Sequence, residues 1–217
     1  MFRKTLLTSA VLGVSLLGLA QAEAAVITWN LGSPSGLLGV SQGYTAGSPP
    51  VTITATGFIN GNFANPANQT ALFGKAAGGD ETGLGLNDDP TLSGGVSEHE
   101  INGTNWIQLD VANAIAAGVT GLSFAMGSSD GGDAWRVFES NSATSLGVQA
   151  PGLTGTDELS HALPTGFEFF NFQATSGNVL IGSISGNQAD VPEPATLTIL
   201  GAGLVGMGLL RRRRRTE

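Results

Sequence analysis

The sequence of 217 residues contains no cysteine and few basic residues. The chain can therefore form neither disulfide bonds nor zinc sites with thiolate ligands, and it has no cysteine nucleophile. Between residues 25 and 190 the only basic side chains are Lys75 and Arg136, against 14 acidic residues, which leaves a formal charge of −12. Such a charge repels nucleic acid and attracts cations, and it also keeps an exported domain soluble.

Long hydrophobic runs are also scarce, and the two clearest lie at the ends of the chain. At the N-terminus, Arg3 and Lys4 precede an apolar segment, 6–20, that is followed by small residues. This order is typical of a secretory signal peptide. We therefore predict that residues 1–24 are a signal peptide with cleavage after Ala24. The alternative is an uncleaved N-terminal anchor.

The C-terminal run begins after two prolines. Pro192 and Pro194 have fixed φ angles and no backbone N–H, so the segment around Glu193 is predicted to be extended and accessible to a protease. Residues 195–210 carry no charge and approach the length of a transmembrane helix, about 17–25 residues. The arginines that follow would hold the C-terminus on the cytoplasmic side of a membrane: Arg211, Arg212, Arg213, Arg214 and Arg215. Hydropathy and arginines alone would also fit a plain tail anchor.

The order of the Pro192-Glu193-Pro194 triplet, apolar segment, arginine cluster and chain end resembles the PEP-CTERM sorting signal of Gram-negative bacteria that produce exopolysaccharide. The resemblance covers residues 191–217 only. It implies recognition and cleavage near the triplet by an exosortase, which is a membrane cysteine protease. It also implies a transient anchor in the inner membrane, followed by a place at the cell surface or in the extracellular matrix.

Residues 25–190, between the two terminal segments, are enough for one domain with a sizeable core. Short runs of alternating apolar and polar residues are separated by glycine-rich turns, as in 51–56, where the threonines share one face. The segment 106–111 alternates as well, with three apolar residues predicted to point inward: Ile107, Leu109 and Val111. About nine or ten such strands and one short helix, 111–117, predict an all-β fold, as a single β-sandwich or jelly roll. A parallel β-helix is the alternative, but no repeat of fixed period is present.

Two acidic loops offer oxygen ligands. Asp88 and Asp89 lie in the long polar connection 80–100, and Asp130 and Asp133 flank two glycines between predicted strands. Calcium takes six to eight oxygen ligands, and glycines allow the chain to wrap tightly around an ion. These four aspartates are therefore candidate calcium ligands, two in each loop. Neither loop has EF-hand spacing, so a solvated loop and a hairpin turn are the alternatives.

Few aromatic side chains are available to stack on a sugar: Trp29, Tyr44, Trp106 and Trp135. Trp106 and Trp135 lie in apolar predicted strands and are expected in the core. Trp29 and Tyr44 lie near the mature N-terminus, and the sequence allows either of them to face the core or the solvent.

Signals of catalysis are weak. No G-x-S-x-G motif marks a nucleophile, and His99 lies in a predicted solvated loop. The pairs Glu98 with Glu100 and Asp157 with Glu158 would suit a glycosidase only if the fold held their carboxyls about 5–10 Å apart. We predict a non-catalytic structural or binding module that has calcium and a glycan as candidate ligands and exopolysaccharide as a candidate partner. The alternative is a small secreted hydrolase that acts on polysaccharide.

Overall fold

The structure, a computed structural model, describes residues 24–76, 81–87, 99–128 and 132–189, together with Gly203. Apart from Gly203, these residues belong to one compact unit that spans Glu23–Val191. Within the described ranges no helix has the length and apolar character needed to cross a membrane. Except for Ala24 and Gly203, the predicted signal peptide and the predicted transmembrane segment lie outside these ranges.

The described residues form fourteen strands and two short helices. The strands are β1 (Ala25–Asn30), β2 (Gly36–Leu37), β3 (Ser41–Ala46), β4 (Val51–Ile59), β5 (Gln69–Thr70), β6 (Leu72–Ala76), β7 (Thr82–Leu86), β8 (Asn105–Asp110), β9 (Thr120–Ser128), β10 (Ala134–Ser140), β11 (Val148–Gly155), β12 (His161–Ala162), β13 (Phe169–Ser176) and β14 (Leu180–Gln188). The helices are a 3-10 helix (Pro66–Asn68) and α1 (Ala112–Ala116).

The strands in the described ranges pair into two antiparallel sheets of seven strands each. In the first sheet the order is β12-β9-β14-β7-β6-β2, and β1 also pairs with β14. In the second sheet the order is β11-β10-β13-β8-β4-β3, and β5 also pairs with β4. From β7 to β10 the chain changes sheet at every connection. Strands β7, β8, β9 and β10 therefore alternate between the two sheets, and residues distant in sequence become neighbours.

The core lies between the two sheets. Phe124 of β9, in the first sheet, contacts Trp135 and Phe172 of the second sheet, with ring centroids 5.1 and 5.0 Å apart. Trp29 of β1 donates its Nε1–H to the backbone carbonyl of Val51 in β4, with an N···O distance of 2.9 Å. These five residues belong to one hydrophobic core. Two sheets that share one core are consistent with a β-sandwich, which confirms the predicted all-β class.

Alternation in the sequence identified the strands that contribute to this core. The residues predicted to point inward from 106–111 are fully buried: Ile107, Leu109 and Val111. In β4 the threonines at 52, 54 and 56 are half-buried, and the residues between them are buried. The predicted short helix is α1, and it is followed by Gly118 at φ 76°, a conformation that glycine adopts without strain.

The predicted number of strands was too low. Among the strands that were not predicted are β3 and β11, which form the two edges of the second sheet. In β11, Pro151 and Gly152 interrupt the alternation, and Gly152 has φ 75°. Proline is tolerated in an edge strand because one side of that strand makes no ladder hydrogen bonds. Edge strands such as these carry a weak apolar pattern, so their sequences read as loops.

Candidate functional site

Most residues with a predicted function lie outside the described part of the chain. They are Asp88, Asp89, Glu98, Asp130, Pro192, Glu193, Pro194 and Arg211–Arg215. Of the predicted calcium ligands only Asp133 is described. Among the described residues, no three side chains of His, Asp or Glu come together in a group that would hold a metal ion. The calcium site therefore stays a prediction.

Asp133 packs against the turn between β13 and β14. Its Oδ1 accepts a hydrogen bond from the backbone N–H of Asn178, with an N···O distance of 3.4 Å. The neighbouring Gly177 has φ 60°, and a Cβ there would lie 1.7 Å from the same oxygen. One carboxylate oxygen of Asp133 thus contacts the turn and helps to hold it against the start of β10.

Glu100 takes part in an ion pair that ties the segment before β8 to β6. The ammonium of Lys75 donates to Glu100 Oε1 and also pairs with Glu81. Burial lowers the pKa of Lys75, but its hydrogen bonds to Glu100 and Glu81 raise that pKa by more, so the net direction is upward. The Lys75 ammonium therefore stays charged at neutral pH and holds both carboxylates in place.

His99 lies flat on the ring of Phe73, with centroids 3.7 Å apart and ring planes within 7°. Its φ is 56°, in the left-handed region. Its carbonyl oxygen passes so close to Gly85 that a Cβ there would lie 1.9 Å away. His99 therefore packs onto β6 and β7, whereas the sequence predicted a histidine in a solvated loop.

Asp157 and His161 form the second polar contact that the sequence did not reveal. His161 Nε2 lies 2.7 Å from Asp157 Oδ1, and the imidazole stacks on Phe124 with centroids 5.5 Å apart. Trp135 Nε1–H donates to the backbone carbonyl of Asp157, with an N···O distance of 3.0 Å. The hydrogen bond with His161 lowers the pKa of Asp157. The stability that this carboxylate contributes is thus present above the usual Asp range and is lost as the pH falls through its lowered pKa.

A network of polar side chains covers part of the outer face of the second sheet. Gln108 of β8 lies opposite Asn171 of β13, and its Nε2 donates to Asn171 Oδ1 at 2.9 Å. Arg136 of β10 lies opposite Gln173 of β13, and its Nε donates to Gln173 Oε1 at 2.8 Å. We call the outer surface formed by these four side chains the amide face.

Loops and aromatic rings bury most of the amide face. Asn171 Nδ2 donates to the carbonyl of Leu146, at an N···O distance of 2.9 Å, so the loop after β10 is tied to β13. Trp106 contacts the ring of Phe63 from the loop after β4 and the ring of Phe138, with centroids 5.9 and 5.3 Å apart. Trp106 is buried, as predicted, but it lies outside the main core. It belongs to a second cluster, with Phe63 and Phe138, on the outer face of the sheet. Its partners are distant in sequence, so alternation alone would place it on a solvated surface.

Glu139 is a buried acid at the core-facing side of β10. It follows Trp135 and Val137 at alternate positions, and it is only 7% exposed. Among the described residues its Oε2 has no hydrogen-bond partner. Burial raises the pKa of this carboxyl. A buried acid without a partner destabilises the fold in its charged form.

We expect Glu139→Gln to raise the free energy of unfolding at pH 7 by about 1 kcal/mol, because a neutral amide is cheaper to bury than a carboxylate. Because the pKa of Glu139 is raised in the folded state, the charged carboxylate destabilises the fold. This loss of stability is absent below the unfolded pKa and reaches its full size above the folded pKa. The advantage of the variant should therefore shrink as the pH falls to about 4, near the ordinary Glu value. Urea unfolding at both pH values measures this. Glu168→Gln, at an exposed position, is the matched control and should change little at either pH. An equal gain at both pH values would contradict the assigned cause.

The comparisons with known proteins bear on the end of the chain. The family model of the PEP-CTERM protein-sorting motif matches residues 190–215. No curated protein and no solved structure matches the chain. The matched residues contain Pro192, Glu193, Pro194 and the arginine cluster, which are the residues on which the resemblance was based.

Proposed function

We propose that the protein belongs to the cell envelope or exopolysaccharide matrix of a Gram-negative bacterium. The chain carries a PEP-CTERM protein-sorting motif, which implies export and processing by an exosortase, a membrane protease. The match at residues 190–215 is the observation that carries the proposal. Export begins with the signal peptide, 1–24. The apolar segment 195–210 then holds the chain in the inner membrane until cleavage near Pro192–Pro194 releases it to the surface or the matrix.

In this proposal, the all-β domain of residues 25–190 is a non-catalytic binding module with a jelly-roll topology. Strands β7 to β14 support the topology: the orders β12-β9-β14-β7 and β11-β10-β13-β8 are those of eight strands arranged as two Greek keys. The engagement of Glu100 with Lys75, and of Asp157 with His161, supports a binding role over hydrolysis, because each of these carboxylates has a structural partner.

The ligand proposed for the module is the polysaccharide outside the cell. Edge strand β11 supports this choice, because Gln149 and Thr154 are exposed on its outer face and their side chains both donate and accept hydrogen bonds, as sugar hydroxyls require. The strongly negative charge of residues 25–190 disfavours nucleic acid as a partner.

Co-sedimentation tests the binding role. The full chain, purified in detergent, is mixed with the extracellular polysaccharide of the bacterium that produces it and is then centrifuged. We expect the protein to sediment with the polysaccharide and the number of reducing ends to stay constant. Release of reducing ends would indicate the alternative hydrolase, and protein that stays in the supernatant would contradict the binding role.

A further inference from the structure

Arg136 occupies an unusual position in so acidic a domain. It lies on the outer face of β10, between Gln173 of β13 and Thr154 of β11, which are its partners in the two strand ladders. Its Nε–H donates to Gln173 Oε1, and its Cζ lies 5.1 Å from the centroid of the Phe138 ring. The amide of Gln173 is itself fixed, because its Nε2 donates to the carbonyl of Gly103. The guanidinium plane is therefore held from two sides.

The terminal nitrogens of Arg136 remain available. The ion pairs between described residues are those of Lys75 with Glu81 and Glu100, and of His161 with Asp157. Neither Nη atom of Arg136 donates to a protein acceptor in the described part of the chain. Residues 25–190 contain 14 acids and two bases, and the other base, Lys75, has two carboxylate partners. The guanidinium of Arg136, which has no acidic partner among the described residues, is thus open to a carboxylate from outside the chain.

The surroundings of Arg136 indicate the chemistry of that ligand. A guanidinium fork matches the two oxygens of a carboxylate. Thr154, opposite Arg136, and Gln149, opposite Phe138, are exposed on the same face and offer a hydroxyl and an amide to further hydroxyl groups. A phosphate carries more negative charge than a carboxylate, so the net charge of the domain opposes it more strongly.

We infer that Arg136, at the half-buried end of the amide face, anchors a binding site for a carboxylated sugar, an isolated uronic acid unit in a polysaccharide that is otherwise neutral. This inference rests on the proposed function and adds the class of sugar. In this site the two Nη atoms of Arg136 bind the carboxylate, while Thr154 and Gln149 contact the hydroxyl groups. The Nε bond to Gln173 and the ring of Phe138 orient the guanidinium, so that little side-chain entropy is lost when the ligand binds.

Calorimetric titration of the full chain in detergent tests the inference with two probes. One is a disaccharide with a single glucuronic acid unit, and the other is the same disaccharide after reduction of that carboxyl to the alcohol. We expect the acidic probe to bind roughly tenfold more tightly, because hydrogen bonds to a charged group are stronger than those between neutral groups. Arg136→Gln should abolish that preference, so that the two probes bind this variant with equal affinity. Arg136→Lys, which keeps the charge and loses the fork, should retain only part of it.

The outcomes separate the inference from the proposed function. Equal affinity of the unmodified chain for both probes would overturn the acidic-sugar site and leave the binding role intact, and a preference that persists in Arg136→Gln would overturn its assignment to Arg136. Binding of neither probe, in a chain that still sediments with polysaccharide, would overturn the inference alone. Binding of neither probe and no co-sedimentation would overturn both. Urea unfolding of each variant confirms that it is folded before its titration is interpreted.

Discussion

Replacement of Pro192, Glu193 and Pro194 by alanine is expected to leave nearly all of the protein in the membrane fraction, at its unprocessed mass. In the proposed sorting route, the apolar segment and the arginines would still anchor this variant. Without the prolines, however, the backbone before the segment would be free to continue the predicted transmembrane helix and would no longer have to be extended. The processing protease would lose both the triplet that it recognises and the extended backbone that it cleaves. Fractionation and intact-mass measurement in a strain that has the exosortase report the result.

Two further variants test this prediction. Glu217→Gln removes an acid from the same tail but lies outside the matched residues 190–215, so we expect normal processing. Replacement of all five arginines by glutamine removes the charge that, in the proposed sorting route, keeps the C-terminus in the cytoplasm, so we expect poor retention in the membrane and loss of processing. Normal release of the alanine variant would show that the triplet is not the recognised element.

Phe124→Ala is expected to lower the free energy of unfolding by about 3–5 kcal/mol, the usual range for the removal of a buried phenylalanine side chain. Phe124 is 1% exposed, and it contacts Trp135 and Phe172 across the interface of the two sheets. It also supports the imidazole of His161, so the cavity would loosen the contact between His161 and Asp157 as well. For a domain of this size, the melting temperature should fall by roughly 10 °C.

Urea unfolding, followed by tryptophan fluorescence, measures the effect. Leu159→Ala is the matched control, because Leu159 is 70% exposed and its removal should change the free energy of unfolding by less than about 0.5 kcal/mol. A loss of less than about 1 kcal/mol for Phe124→Ala would mean that this ring does not join the two sheets into one core.

The sequence predicted most central strands because those strands have one buried face. In β8 and β4, alternation marks the inward residues directly, and the structure buries them. The edge strands β3 and β11 were missed because they have few apolar positions. Strand β11 also contains Pro151, which an edge strand tolerates. The sequence also did not predict which strands pair within each sheet, because this pairing depends on contacts between residues that are distant in the chain.

The amide face was missed for a related reason. Gln108, Asn171 and Gln173 alternate with apolar residues, which normally indicates a solvated outer face. No local pattern reveals that loops 60–68 and 141–147 fold back over this surface and bury it. A possible signal was Arg136 itself, one of two basic residues between 25 and 190 and the only arginine there. The sorting motif, by contrast, was found from the sequence because its features lie next to one another in fixed order.

The intact mass of the protein recovered from the cell surface tests the central claim most directly. If the protein is exported and sorted through its C-terminal motif, the recovered chain starts near Ala25 and ends near Pro192–Pro194, without the arginine cluster. Surface protein that still carries Arg211–Arg215 would contradict the claim, because the tail would then be an anchor that is never processed.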